Sequence, residues 1–101
     1  MNDFASQHEH LRSLLVEGDY PAFLRELEDH ARKEERAVYR WLRPALDPMG
    51  PPWLERSLVF AELLELAGRG DQAARMLFER LVELEEEVLF PLADRLRPGW
   101  R

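Results

Sequence analysis

Residues 23–42 read FLRELEDHARKEERAVYRWL, and this stretch gives the clearest indication of the fold. Its apolar side chains recur every three or four positions, which is the period of one face of an α-helix. His30 and Glu34 fall on that face, about one helical turn apart. The pattern predicts a long amphipathic helix over about residues 20–43 that turns an imidazole and a carboxylate toward the core. Pro44 should end this helix, because proline cannot donate the next backbone hydrogen bond.

Three more segments have the helical period, and no segment alternates like a strand. They cover about residues 3–17, 53–67 and 72–96. A Gly-Asp pair precedes the second and the fourth helix, at Gly18-Asp19 and Gly70-Asp71. Glycine is typical of a helix end and aspartate of the cap of the next helix. Residues 47–52, DPMGPP, form a linker, and Pro91 should kink or locally open the fourth helix.

The two halves of the chain resemble each other at an offset of 51 residues. Residues 34–40 read EERAVYR and residues 85–91 read EEEVLFP. Each stretch has two glutamates, then two residues, then an apolar–aromatic pair, and the offset aligns Glu34 with Glu85. Two helical hairpins with short loops predict an all-α fold, an antiparallel up-down-up-down four-helix bundle. We expect one domain over residues 1–101.

Composition narrows the classes of function. The chain has 101 residues, 46% of them hydrophobic, a net charge of −6 and no cysteine. The absence of cysteine excludes disulfides, thiolate ligands and iron–sulfur clusters. The acidic charge disfavours nucleic acid as a partner. No apolar run is long enough to cross a membrane and the first residues do not resemble a signal peptide, so a cytoplasmic location is expected.

Two further residues join His30 and Glu34 as candidate metal ligands. The first is a histidine on the apolar face of the first helix, in register with Phe4, Leu11 and Leu15. The second is the counterpart of Glu34 in the second half of the chain. Imidazoles and carboxylates bind divalent transition metals, and an ion would neutralise carboxylates that are costly to bury alone. The candidate ligands are therefore His8, His30, Glu34 and Glu85.

The candidate residues also have simpler structural interpretations. A histidine at the edge of the core, bonded to a carbonyl or a carboxylate, would explain His8. A solvent-exposed contact would explain the pair formed by His30 and Glu34. His10 lies about 200° around the helix from His8 and is predicted to face solvent. Glu62 is a weaker candidate on the third helix, whose other charged residues are expected to face outward.

These motifs resemble the hemerythrin-like (HHE cation-binding) family. Its second and fourth helices often carry H-x-x-x-E-E-x-x-apolar-F-P, and residues 30–39, HARKEERAVY, are similar to that motif. Residues 85–91, EEEVLFP, are similar to its end, and residues 7–11, QHEHL, are similar to the opening helix. The resemblance implies a four-helix bundle with a non-heme metal centre, which is a di-iron centre in the family.

The chain departs from the family motif in its second half. Leu81 stands where the fourth helix should offer a histidine, and residues 53–67 contain no histidine. The resemblance then implies that one metal position has lost its imidazoles, and that apolar side chains such as Leu81 fill the space. At most one ion would remain, held by the four candidate ligands. Iron is favoured, and zinc or manganese is an alternative.

Two functions follow as expectations. The first is a metal-binding module for redox, oxygen or metal sensing, with O2 as a candidate small ligand. The second is a metal-free bundle that acts as an interaction or oligomerisation module. Apolar residues expected to face outward would support a homodimer: Leu14, Tyr39, Leu64 and Leu89. An enzyme has the least support, since the chain has no G-x-S-x-G motif and no glycine-rich phosphate loop.

Overall fold

The computed structural model describes residues 3–46 and 50–101, in which four helices pack together and no strand occurs. Helices α1 and α3 are Phe4–Glu17 and Pro51–Gly68. Helix α2 covers residues 20–45. It consists of an α-helical segment, Tyr20–Glu34, a π-helical turn, Glu35–Tyr39, a short α-helical turn, Arg40–Leu42, and a 3-10 turn, Arg43–Ala45. Helix α4 covers residues 74–96, as Ala74–Leu84, Glu85–Leu89 and Phe90–Leu96. The all-α, four-helix prediction is therefore confirmed for these residues.

The junction of α1 and α2 follows the capping residues read from the sequence, whereas α4 begins at Ala74, with Ala73 rather than Asp71 in the cap position. Gly18 has a left-handed φ of 76° and ends α1, and the Asp19 side chain accepts a hydrogen bond from the Ala22 N–H at 3.2 Å. Helix α3 begins at Pro51, two residues before its predicted start, because proline in the first turn lacks only an N–H that would have no helical partner. Residues 1–2 and 47–49, which include half of the predicted linker, lie outside the described residues.

Two π-helical turns interrupt the long helices at related positions. The Arg40 N–H bonds to the Glu35 carbonyl, and the Phe90 N–H bonds to the Glu85 carbonyl, so each bond spans five residues. The local opening expected near Pro91 therefore takes the form of a π turn just before it. Each such turn contains one residue more than an α-helical turn, and turns of this kind often lie at functional sites.

The extra residue in each π turn corrects several predicted side-chain orientations. Tyr39 and Leu89, expected to face outward, are 1% and 0% exposed. The regular helical period places Val88 and Leu92 on the inner face of the fourth helix, but Val88 is 39% exposed. One added residue moves the inward register forward by one, so Ala93 is buried where Leu92 was expected. The regular 3.6-residue period does not anticipate this shift.

The inner face of α3 also differs from the prediction. The helical period of residues 53–67 predicts an inner face that includes Leu54 and Leu58, but both are exposed. The charged residue Arg56 is instead buried, with only 8% exposure. The expectation that charged residues on this helix other than Glu62 face outward is therefore wrong for Arg56. The reason is register, because Arg56 lies four residues before Phe60 and seven before Leu63 on the side that packs against the bundle.

Two apolar clusters fill the interior on either side of a polar layer. One cluster contains Leu11, Leu14, Leu15, Phe23, Leu27, Leu63, Ala67, Ala74, Phe78, Leu81 and Val82. The other contains Phe4, Val38, Tyr39, Leu42, Leu89, Phe90 and Ala93. Leu14, expected outside, thus belongs to the core, whereas Leu64 is exposed as expected. The His8 ring lies 6.2 Å from the Phe78 ring and 6.4 Å from the Phe90 ring, so it joins the two clusters.

No helix within residues 3–46 and 50–101 combines the length and the apolar character that a membrane crossing requires.

Candidate metal centre

The polar layer contains all four candidate ligands predicted from the sequence. His8, His30, Glu34 and Glu85 are at most 4% exposed, and one ligand atom from each lies within 4.8 Å of the others. The His8 Nε2 is 3.2 Å from the Glu85 Oε1 and 3.9 Å from the Glu34 Oε2. The His30 Nε2 is 3.2 Å from the same Glu34 Oε2. Three helices therefore bring two imidazoles and two carboxylates to one interior point.

Local helix geometry positions the two carboxylates. Glu34 is the last residue before the π turn of α2, and Glu85 is the first residue of the π turn of α4. His30 lies one turn before Glu34, so both side chains leave α2 on the same side. The widened turns place the aromatic residues that follow, rather than solvent, next to the carboxylates.

Each histidine is oriented by a second polar side chain. The His8 Nδ1 is 3.1 Å from the Glu86 Oε2, and the His30 Nδ1 is 2.6 Å from the Gln7 Oε1. Because both of these oxygens are acceptors, the ring protons sit on Nδ1. Both Nε2 atoms then point into the centre, as they do in metal sites where an outer carboxylate or amide fixes the histidine tautomer.

One positive charge or proton is missing at the centre of the cluster. The His30 Nε2 and the Glu34 Oε2 face each other and have no hydrogen-bond partner among the described residues. Two lone pairs at hydrogen-bond distance repel unless a proton or a cation lies between them. Such an arrangement fits a bound cation, which would accept both lone pairs at once.

The surroundings shift the pKa values of these groups in opposite directions. Burial lowers the pKa of His30 to about 4, so this imidazole stays neutral and able to bind a cation. Burial and the neighbouring Glu85 raise the pKa of Glu34. Burial opposes ionisation of Glu85, but its contacts with His8, Glu34 and Arg56 lower its pKa to about 2. Without an ion, the proton of the cluster therefore resides on Glu34 rather than on Glu85.

The remaining imidazole, His8, behaves differently from His30. Burial lowers its pKa, but the hydrogen bonds and charges of Glu85 and Glu86 outweigh this effect and raise the value overall. The two imidazoles of the cluster therefore differ in their tendency to take up a proton. Because protons compete with metal ions for imidazole nitrogens, metal binding at this site should depend on pH.

Arg56 completes the cluster and was missed from the sequence. Its Nε is 3.3 Å from the Glu85 Oε2 and its Nη2 is 3.5 Å from the Glu34 Oε1. The guanidinium carbon lies 4.4 Å from the centre of the Tyr39 ring, and the rings of Trp53 and Phe60 lie 5.2 and 5.4 Å away. Cation–π contacts favour this position. The available signal was its helical register with Phe60 and Leu63.

Tyr39 is a second residue of the site that sequence reasoning missed. Its hydroxyl donates a hydrogen bond to the Glu85 Oε2 at 2.5 Å, and its ring lies inside the core. Burial and the two carboxylates raise its pKa, so the hydroxyl keeps its proton and continues to donate. The position became inward only through the π turn, which explains why the regular helical period placed Tyr39 outside.

The other candidates lie away from the centre. His10 is exposed, as predicted, and its Nε2 pairs with the Glu26 Oε2 at 2.7 Å. Glu62 is exposed on α3 and does not reach the cluster. Leu81 lies in the apolar cluster beside Phe78, where it supplies hydrocarbon rather than a ligand.

No protein-family model, curated protein or solved structure matches the chain. The function of the chain is therefore inferred from the geometry of the site.

Proposed function

We propose that this chain is a hemerythrin-like metal-binding module, an antiparallel up-down-up-down bundle that holds one non-heme ion. The ligands are His8, His30, Glu34 and Glu85. The observation that carries the proposal is the facing pair of unpartnered atoms, the His30 Nε2 and the Glu34 Oε2, 3.2 Å apart in the core. A cation between them would replace the proton that Glu34 otherwise holds, and both atoms would direct a lone pair at the ion.

The donor set favours a first-row transition metal. Two imidazole nitrogens and carboxylate oxygens suit Fe(II), and they also accept Zn(II) or Mn(II). Iron bound here would supply redox and oxygen-binding chemistry to the module. The chain contributes the preorganised ligands: Glu86 and Gln7 hold the two Nδ1 protons, so that both Nε2 lone pairs face the ion.

A cleft beside the cluster supports exchange of an ion or a small ligand such as O2. It has a volume of about 240 Å³ and opens between α1 and α2. Gln7 and His30 line its inner end, and His10, Glu26 and Asp29 line it as well. Lys33 also lines the cleft and pairs with Asp29, and His10 pairs with Glu26, so the cleft offers a polar path to His30 rather than a strongly acidic one.

Elemental analysis of the purified chain tests the proposal. We expect about one equivalent of metal, retained in His10→Gln and lost in His30→Gln. Both variants should keep the helical circular dichroism signal, because the core is mainly apolar. The proposal fails if the wild-type chain, reconstituted with Fe(II), Zn(II) or Mn(II), binds none of these ions, or if His30→Gln binds as well as the wild type.

A metal-free interaction module is the second candidate, and the outer face of α3 favours it. Leu54, Leu58 and Leu64 are exposed there, and the last of these borders an apolar cleft shared with Leu24 and Phe60. Exposed apolar patches often mark protein contacts. Light scattering tests whether this module self-associates. A homodimer that the Leu58→Glu variant dissociates would support the alternative, whereas a monomer at high concentration would exclude self-association.

A further inference from the structure

The two carboxylates of the cluster each face an imidazole with one oxygen and the Arg56 guanidinium with the other. Glu34 points its Oε2 toward His30 and its Oε1 toward Arg56. Glu85 points its Oε1 toward His8 and its Oε2 toward Arg56. The site therefore has an inner pole, formed by the histidines and one oxygen from each carboxylate, and an outer pole, formed by the other two oxygens and the guanidinium.

The outer pole has the elements of a cation position but is filled by protein. Oxygens from Glu34 and Glu85 and the Tyr39 hydroxyl converge there, and these are groups that bind hard cations. The Arg56 guanidinium occupies the same place, packed on the Tyr39 ring and 8% exposed. Arginine stays protonated at all physiological pH values, so this positive charge is permanent.

We infer that Arg56 is a built-in second cation that fills the outer pole and limits the site to one metal ion. This inference rests on the proposed function, because it concerns how many ions the same cluster accepts. A second divalent ion would have to displace a guanidinium that already pairs with both carboxylates, and it would meet the repulsion of that charge nearby. Arg56 thus determines the stoichiometry of the site.

An arginine that only stabilised the fold would not affect the number of ions bound. Replacing such an arginine would change the melting temperature but not the number of ions bound. If Arg56 excludes an ion, replacement by a neutral ligand should open the outer pole. In Arg56→His, an imidazole would join the oxygens of Glu34 and Glu85 and the hydroxyl of Tyr39.

Equilibrium dialysis against Fe(II) without oxygen, followed by metal analysis, tests the inference. We expect one ion per chain in the wild type and in Arg56→Lys, which keeps the charge, and two ions in Arg56→His. Arg80→His is the matched control, because Arg80 forms exposed ion pairs with Glu55 and Glu83 and should leave the count at one.

The outcomes separate the two proposals. No bound ion in the wild type would overturn the proposed function and the inference with it. Two ions in the wild type, or one ion in both the wild type and Arg56→His, would overturn the inference alone. If Arg56→His is unfolded as purified, its helicity is titrated with Fe(II): recovery at two equivalents supports the inference, and recovery at one equivalent or none overturns it.

Discussion

The two halves of the molecule place a glutamate at the same kind of helical turn but surround it differently. Glu34 in the first half is accompanied by His30 from its own helix and by His8 from α1. Glu85 in the second half has Leu81 at the position equivalent to His30, and Arg56 from α3 beside it. One half therefore supplies two imidazoles and the other supplies a fixed positive charge. The comparison shows that a single buried guanidinium pairs with one oxygen of each carboxylate, while the imidazoles face the other two oxygens.

The largest expected effect comes from removing the fixed charge. Arg56→Gln should lower the free energy of unfolding of the metal-free protein by about 3–5 kcal/mol, because two buried carboxylates lose their permanent partner. Urea denaturation measures the change. Arg80→Gln, at an exposed arginine, should cost much less, because solvent screens its ion pairs. Equal losses in the two variants would contradict the role assigned to Arg56.

The shared π turns can be tested by comparing adjacent residues. Leu89→Ala should lower the free energy of unfolding by about 2–5 kcal/mol, since Leu89 is fully buried, whereas Val88→Ala should cost less than about 1 kcal/mol. Urea denaturation of both variants measures this difference. The reverse order would mean that α4 continues as a regular helix through Glu85.

The neutral histidine of the first half should make the metal-free protein sensitive to acid. His30 has a pKa of about 4 in the folded chain, below the ordinary histidine pKa of 6.5, so the unfolded chain binds the proton first as pH falls. Between these pH values the wild type should lose on the order of 3 kcal/mol of stability through His30. The loss should be complete below pH 4 and absent well above pH 6.5.

Urea denaturation at pH 7 and pH 4 measures this acid effect in the wild type and in two variants. His30→Gln should reduce the difference between the two pH values, whatever its effect on absolute stability. His10→Gln, at the exposed histidine, should leave the difference unchanged. A wild-type difference that survives in His30→Gln would assign the acid sensitivity to other groups.

The smallest expected effect concerns Tyr39. Tyr39→Phe keeps the buried ring but removes the hydrogen bond to Glu85, so we expect a loss of about 1–2 kcal/mol in the free energy of unfolding. Arg56 still contacts the same carboxylate oxygen, which limits the cost. Chemical denaturation of the metal-free protein checks the value, and Tyr20→Phe provides a control at a half-buried tyrosine. A cost no larger than that of the control would mean that the hydrogen bond contributes little.

Local signals in the sequence were enough to predict the four helices and the residues at the centre. Gly18 and Asp19 act within one turn of the chain, and the apolar register of His8, His30 and Glu34 follows from the helical period. Those features do not depend on the rest of the fold, which is why they could be read in advance.

The residues that were missed depend on longer-range or irregular structure. Tyr39 and Leu89 turn inward only because a five-residue hydrogen bond adds one residue to a turn, and the regular period contains no sign of it. Arg56 lies 22 residues from Glu34 and 29 from Glu85, so its ion pairs arise from packing between helices. A charged residue is usually solvated, and the helical register of Arg56 with Phe60 and Leu63 did not outweigh that expectation.

X-ray absorption spectroscopy of the Fe(II)-loaded wild-type chain tests whether the cluster binds a single ion through its histidines and glutamates. We expect nitrogen and oxygen ligands, the scattering pattern of two imidazoles and no second iron nearby. A neighbouring iron at roughly 3.5–4 Å, as in two-metal sites, or an iron without imidazole ligands would contradict this expectation.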